Sequence, residues 1–241
     1  MERRIIKVKK KVRKPPPSSI KEIVDLNRFN NKHKDSRGFI IGGGPSILDI
    51  QNSGFDFKIL QNEITVGVNK AYILFTPTYL IWTDAYFFKT FKEEVFKLDC
   101  VKFCPANVAK KFSLKNDKIC IIRRDKDAKG NTYVSSMSDP IPMWNNSGVT
   151  GLRIAYILGL NPIYLVGFDI HHTDEKDRTH FHTEYDNKRI SKTTPKRYEL
   201  FYDSFSKTIK DLKAINIKIY SCSKTSRLNN VIEYVDIATL F

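Results

Sequence analysis

The 241-residue chain lacks several features that define common protein classes. No apolar run approaches the roughly 20 residues of a membrane span, and no apolar segment follows the charged N-terminus, so we expect neither a membrane helix nor a secretory signal. The four cysteines include no C-x₂-C pair, which argues against a zinc centre and favours free thiols in the cytoplasm. The sequence also shows no internal repeat and no sign of a second domain.

Acidic residues are scarce relative to basic ones. There are 26 Asp and Glu against 41 Lys and Arg, which gives a net charge of +15. Residues 1–38 hold 13 basic and four acidic residues, a net charge of 13 − 4 = +9, and the remainder carries only 15 − 9 = +6. We expect residues 1–17 to form a flexible basic arm and residues 18–241 to form the folded domain. The charge favours acidic partners such as nucleotides, nucleic acid, anionic glycans or an anionic membrane surface; the alternative is an arm that only aids solubility.

What the sequence does contain is a glycine turn after a buried strand, in residues 38–47, GFIIGGGPSI. Gly42, Gly43 and Gly44 follow an apolar run, and a proline and Ser46 then begin a helix. This arrangement lets backbone N–H groups and a helix start reach a phosphate. Glycine leaves room for the phosphate and accepts a positive φ, which we expect here. A tight turn without a ligand is the alternative.

Short apolar runs alternate with amphipathic segments along the rest of the chain. We predict strands at 39–41, 64–69, 78–84, 101–105, 119–122, 163–168 and 217–222. We predict helices at 20–29, after the glycine turn, at 85–97, from about 146 and at 196–214, and a loop or lid over 124–143. This alternation predicts an α/β protein: a single Rossmann-like domain with a mostly parallel sheet and helices on both faces.

Polar residues follow the predicted strands at their carboxyl ends, where open α/β sheets bind ligands. They are Asn69, Thr83, Asp84, Asn146, Ser147, Asp169 and residues 221–223. Amides and hydroxyls can hydrogen-bond a base and a ribose, while the glycine turn holds phosphate, so the set favours a nucleotide. The set contains few lysines and arginines. As alternatives, Asn69 is an ordinary turn residue and Ser147 is a helix cap without a ligand.

Four of the five histidines lie in residues 167–182, next to several carboxylates. They are His171, His172, His180 and His182, and the neighbouring carboxylates include Asp169 and Asp174. Histidine beside carboxylates suits acid–base catalysis or phosphate contact near neutral pH. The same groups carry enough ligand atoms for a metal, but their spacing matches no compact metal motif. A loop without chemistry is the third alternative.

The order of these motifs resembles that of a known group of proteins. RGFIIGGGPSI, ITVGVNKAYILF, YLIWTDAYFF, NNSGVTGLRIAYILGLNPIYLVGFDI and IKIYSCS are similar to segments of the bacterial sialyltransferases of glycosyltransferase family 42. They also resemble motility-associated-factor glycosyltransferases and 6-hydroxymethylpterin diphosphokinase-like proteins. The resemblance covers about residues 38–236 and is strongest from Ser147 to Asp169. It implies a GT-A-like variant of the Rossmann-like fold.

The resemblance also implies a metal-independent transferase with a CMP-sugar donor and no required cofactor. By motif position, the nucleotide contacts fall on Gly43, Ser46, Asn69 and on the helix start formed by Asn146, Ser147 and Gly148. A phosphate-contacting position falls on His171. The sialyltransferases place their catalytic histidine closer to the last strand, but no histidine occurs here after residue 182. The general base would then be His180 or His182.

Our leading hypothesis is therefore a glycosyltransferase that moves a sugar from a nucleotide-sugar to a hydroxyl of a glycan or another acceptor. Three alternatives stay open. The first is a glycosyltransferase that modifies nucleic acid, for example a hydroxymethylated base, bound through residues 1–14. The second is a pterin-type diphosphokinase with Mg²⁺ on carboxylates such as Asp84 or Asp169. The third is a nucleotide-binding module without catalysis.

Overall fold

The structure is a computed structural model that describes residues 24–115, 119–125, 134–144, 146–171, 179–185 and 195–241. The predicted basic arm lies outside these residues, as do His172 and Asp174. Residues 20–23 of the first predicted helix also lie outside them. The described end of that helix is a short 3-10 helix, Leu26–Phe29, which Asp25 caps by accepting from the Asn27 N–H.

Eight parallel strands form the central sheet. They are β1 (Gly38–Ile41), β2 (Ile64–Val68), β3 (Tyr79–Ile81), β4 (Val101–Pro105), β5 (Ile119–Ile122), β8 (Ile163–Val166), β9 (Ile219–Ser221) and β10 (Glu233–Tyr234). Their order in the sheet is β10-β9-β8-β1-β2-β3-β4-β5. A separate parallel pair joins β6 (Arg124–Asp125) to β7 (Ile141–Pro142). The predicted α/β class and mostly parallel sheet are confirmed.

Five α-helices surround the sheet in the described part of the chain. They are α1 (Ser46–Asn52), α2 (Ala85–Lys97), α3 (Ala106–Lys111), α4 (Ser147–Ile157) and α5 (Pro195–Ala214). None of the described helices is both long and apolar enough to cross a membrane.

Alternate residues of each strand pack on opposite faces of the sheet. In β1, Ile40 belongs to the apolar cluster that includes α4 and α5, whereas Phe39 and Ile41 pack on the other face with α1. In β3, Ile81 faces the first cluster and Leu80 packs with α2 and α3. Buried parallel strands need apolar residues on both faces, so the continuous apolar runs in the sequence follow from helices that cover both faces.

The strand order reverses between β1 and β8. From β1 the chain adds β2 to β5 on one side, and β8 to β10 lie on the other side. At this point the Gly42 N–H donates to the Val166 carbonyl at 2.7 Å, and the Gly44 N–H donates to the Gly167 carbonyl at 2.8 Å. The glycine turn is thereby fixed against the end of β8, at the position where open α/β sheets bind ligands.

Several predictions about secondary structure were wrong: the strand predicted over 78–84 covers only Tyr79–Ile81, and α3 was not predicted. Residues 124–143 were predicted to be a loop, but β6 and β7 pair at its two ends; two-residue strands are too short to show periodicity. The strand predicted to end at Asn69 ends at Val68, because Asn69 has φ = 53° and begins a 3-10 helix. The short strand β10 was missed for the same reason as β6 and β7.

Candidate active site

A cavity of about 300 Å³ lies at the carboxyl ends of β1, β2, β3 and β8. Most of the site residues predicted from the sequence line it. They are Gly42, Gly43, Gly44, Asn69, Thr83, Asp84, Asn146, Ser147, Gly148, Asp169, His171, His180 and His182. Ser46 is buried beneath the turn, and residues 221–223 are not among the lining residues. Residues from distant parts of the sequence therefore meet at one place.

The glycines of the turn serve two purposes. None of them has a left-handed φ, so the expected need for a positive φ was wrong. A Cβ at Gly44 would lie 2.8 Å from the Gly167 carbonyl oxygen and even closer to the Asp169 carboxylate, so this glycine allows close packing. A Cβ at Gly43 would meet only the His180 Cδ2, at 3.3 Å. Gly43 is therefore the glycine of the turn that leaves space inside the cavity.

Ser46 and Asp169 hold the turn from below. The Ser46 N–H donates to Asp169 Oδ2 at 3.1 Å, and its hydroxyl donates to Ser223 Oγ at 2.9 Å. The Ser223 hydroxyl also accepts from the Gly167 N–H at 2.9 Å. Burial raises the pKa of the Asp169 carboxyl, and the hydrogen bonds from Ser46 oppose that rise. One Asp169 oxygen thus belongs to the scaffold, while Oδ1 is buried without a partner among the described residues.

The start of α4 forms another wall of the cavity. Asn146 caps the helix: its Oδ1 accepts from the N–H groups of Gly148 at 2.9 Å and Val149 at 3.3 Å. Ser147 is therefore not the cap. Its hydroxyl lies 2.6 Å from the Thr83 hydroxyl and accepts from the Thr83 N–H at 3.2 Å. This pair joins the ends of β3 and α4 and presents two hydroxyls to the cavity.

Asn69 is held in an unusual conformation. Its left-handed φ is uncommon outside glycine, although asparagine tolerates it best. Its Oδ1 is buried and has no hydrogen-bond partner in the part of the chain that the structure describes. A buried amide oxygen without a partner is costly, so we take it as a position where a ligand donor would bind.

Residues 179–185 cover the glycine turn and carry two of the histidines. The Phe181 N–H donates to the Gly43 carbonyl at 3.1 Å. Farther along, Glu184 forms an ion pair with Lys70. The segment is thus attached at two points, one on the turn and one beside β2, and these attachments keep its histidines over the cavity.

Lys70 is a site residue that the sequence analysis missed. Its side chain is only 1% exposed, its Nζ donates to Glu94 Oε2 at 2.8 Å, and it lies 4.1 Å from the centroid of the Phe91 ring. The Tyr72 hydroxyl donates to the same Glu94 oxygen at 2.8 Å. Burial raises the pKa of Glu94, but the hydrogen bonds from Lys70 and Tyr72 outweigh it, and the pKa is lowered. The available signal was the position of Lys70, directly after the asparagine that follows β2.

His180 and His182 are neutral near pH 7. Burial, with a smaller contribution from His182 for His180 and from Lys70 for His182, lowers the pKa of each from 6.5 to about 4. Their ring centroids are 5.4 Å apart, and the Tyr185 ring contacts both edge to face. His182 Nδ1 is buried and has no partner among the described residues. A neutral imidazole is the form that can accept a proton.

His171 and Asp84 complete the predicted set. His171 Nδ1 lies 3.1 Å from the Asp169 carbonyl oxygen, which orients its ring at the cavity. Asp84 Oδ1 accepts from the Tyr86 N–H at 2.7 Å and so caps α2. Within the described residues, no group of three or more His, Cys, Asp or Glu side chains is placed to hold a metal ion.

The fold is shared with two glycosyltransferases of known structure. One is the sialyltransferase CstII from Campylobacter jejuni, solved in complex with the substrate analogue CMP-3FNeuAc. The two sequences are 18% identical and the TM-score is 0.51; the match covers 83% of this chain and 86% of that chain. The other is the MAf glycosyltransferase from Magnetospirillum magneticum AMB-1, 14% identical with a TM-score of 0.58 over 90% of this chain. This chain corresponds to only 38% of that second protein.

No family model and no curated protein matches the sequence. The likeness to the two solved structures rests on the fold, since both are less than 20% identical to this chain. At the level of the fold, it confirms the resemblance to family 42 sialyltransferases and motility-associated-factor glycosyltransferases.

Proposed function

We propose that this chain is a glycosyltransferase that moves a sugar from a CMP-sugar to an acceptor hydroxyl, with a neutral histidine as general base. The observation that carries the proposal is the convergence of three features in one cavity at the strand-order reversal. These features are the open Gly43 position, the unpartnered amide oxygen of Asn69, and the buried neutral pair His180 and His182. The fold shared with two glycosyltransferases supports it.

Each group then has a role in the reaction. The donor phosphate lies against the glycine turn at Gly43, and Asn69 accepts a hydrogen bond from the nucleotide. His180 or His182 takes the proton of the acceptor hydroxyl as its oxygen bonds to the sugar carbon. The bond from that carbon to the phosphate oxygen breaks, CMP leaves with the electron pair, and His171 stabilises its charge. A general base contributes typically about 10²–10⁴-fold.

The donor site is tested by ligand binding. CMP-, UDP- and GDP-sugars and ATP are compared by thermal shift and calorimetry; a ligand at 100 times its Kd stabilises a protein by about 2.7 kcal/mol. We expect CMP-sugars to bind the wild-type protein. The variant Gly43→Val should stay folded but lose this binding. The control variant Lys210→Gln, which changes an exposed residue on α5, should keep it. Unchanged affinity in Gly43→Val would remove the site.

The chemistry is tested separately from binding. We expect His180→Asn or His182→Asn to lower kcat by about 10²–10⁴-fold, the loss typical of a missing general base, with the Kd for the donor within a few-fold of wild type. If both variants retain full kcat, the base is elsewhere. The diphosphokinase alternative requires Mg²⁺ on Asp84 or Asp169. One carboxylate oxygen of each residue already accepts a hydrogen bond from a helix N–H. Loss of activity on chelation, restored by Mg²⁺, would favour that alternative.

A further inference from the structure

A second cavity, of about 660 Å³, lies beside the first. Thr83, Asp84 and Arg197 line both, so the two spaces share a wall. A transfer reaction needs two substrates whose reacting atoms meet at a short distance, and adjoining cavities provide that arrangement. The first cavity holds the glycine turn and the histidines, so the second is the available place for the other substrate.

The second cavity is lined by more positive than negative charge. Arg124 on β6 and Lys196 and Arg197 at the start of α5 line it, with Asp84 as the one carboxylate among its lining residues. These four side chains have a net charge of 3 − 1 = +2. All three cations are exposed, and none of them forms a salt bridge with a carboxylate in the described part of the chain. Cations at the mouth of a cavity attract an anionic ligand.

The same cavity has an apolar wall. Leu200 is 61% exposed, although it is a large aliphatic side chain, and Trp144 also lines this cavity. Trp144 has φ = 47°, a conformation that is rare for a bulky residue. An exposed apolar surface beside charged groups suits a sugar ring, which has C–H groups as well as polar substituents.

We infer that the second cavity binds the acceptor, and that the acceptor is an anionic sugar that carries a carboxylate, phosphate or sulfate near the hydroxyl that is modified. The inference rests on the proposed function, because it takes the first cavity as the donor site. The acceptor oxygen bonds to the donor sugar, its proton passes to a histidine of the first cavity, and CMP leaves. A nucleic-acid acceptor, the alternative anionic partner, is a separate outcome of the test below.

The test compares two probes that differ only at C6, a carboxylate in methyl β-galacturonide and a CH₂OH group in methyl β-galactoside, each titrated in the presence of saturating CMP. We expect the galacturonide to bind at least tenfold more tightly in the wild-type protein. The double variant Arg124→Gln/Lys196→Gln should lose this preference. The matched control Lys210→Gln removes an exposed lysine on the same helix, outside the cavity, and should keep it.

Several results would overturn the inference. They are equal affinity for the two probes, no binding of either probe, or a preference that survives in the double variant. Displacement of the galacturonide by a single-stranded oligonucleotide at lower concentration would favour nucleic acid as the acceptor. A separate CMP titration without the probes distinguishes the two proposals. Failure of CMP to bind the wild-type protein contradicts the donor site, whereas absence of the charge preference in wild-type protein that has CMP bound contradicts only the acceptor assignment.

Discussion

Adjacent glycines in the turn should respond differently to the same substitution. Gly44→Ala places a methyl group 2.8 Å from the Gly167 carbonyl oxygen and 2.9 Å from Asp169 Cγ. Gly43→Ala places the same group 3.3 Å from one carbon of His180, close to the 3.4 Å at which ordinary contacts begin. The two variants add one methyl group to neighbouring residues, so each is a control for the other.

The magnitudes follow from what must move. In Gly44→Ala the Asp169 carboxylate has to shift, which breaks its 3.1 Å hydrogen bond to the Ser46 N–H. A hydrogen bond to a charged group contributes about 1.5–3 kcal/mol, and overpacking adds about 1–3 kcal/mol. We expect a loss of about 3 kcal/mol or more, or roughly 6–12 °C in Tm. In Gly43→Ala only an imidazole ring gives way, by a few tenths of an ångström, so the free energy of unfolding should stay within about 1 kcal/mol of wild type.

Urea unfolding at pH 7.5 measures both changes, and CMP titration adds a second readout. Gly43→Ala should lower CMP affinity at least tenfold, about 1.4 kcal/mol, because its methyl group occupies phosphate space in an otherwise stable protein. Equal destabilisation of the two variants would refute the packing argument. A stable Gly43→Ala protein with wild-type CMP affinity would refute the assignment of the turn to phosphate.

Three further predictions concern the histidine segment and the arm. His180 and His182 have a pKa of about 4 in the folded protein and about 6.5 in the unfolded chain, so the unfolded chain binds more protons between those pH values. The free energy of unfolding should therefore fall as the pH drops from 6.5 to 4, by at most about 3 kcal/mol for each histidine. A pH profile of stability that the double variant His180→Asn/His182→Asn does not flatten would contradict this. Lys70→Met leaves Glu94 and Glu184 solvated, because both are about half exposed, so stability should change by less than about 2 kcal/mol. The pKa of His182 should rise in an NMR titration, and an unchanged pKa would show that Lys70 does not influence the histidine. If the acceptor is a glycan, deletion of residues 1–14 should leave donor hydrolysis unchanged; if the arm binds DNA, each lost phosphate contact should reduce the log–log salt slope by about 0.9 in a mobility-shift titration.

The sequence predicted those parts of the molecule that depend on local signals. The glycine turn after an apolar run and the helix over 85–97 are encoded by neighbouring residues, and the strand-end rule then placed Asn69, Thr83 and Asp169 together. The ion pair of Lys70 with Glu184 depends on the folded path of the chain, which brings two distant segments together. No pattern along the sequence indicates such a contact.

Distant contacts also explain why some assignments changed. The resemblance implied that Ser46 contacts the nucleotide; in the structure its hydroxyl donates to Ser223, more than 170 residues away in the sequence. Gly44 looked like a phosphate-binding glycine, yet its missing side chain makes room for Asp169. Local motifs show where a site lies, whereas the division between scaffold and ligand contacts is decided by residues brought in from elsewhere in the fold.

The central claim is that the cavity at the glycine turn binds a CMP-sugar and breaks its bond to CMP. ³¹P NMR of a CMP-sugar incubated with the protein, compared with a protein-free sample, measures this reaction directly. We predict that CMP appears faster than in the protein-free sample with wild-type protein and with Lys210→Gln, but not with Gly43→Val. Release of CMP at the protein-free rate by the wild-type protein, or equal release by wild type and Gly43→Val, would contradict the account.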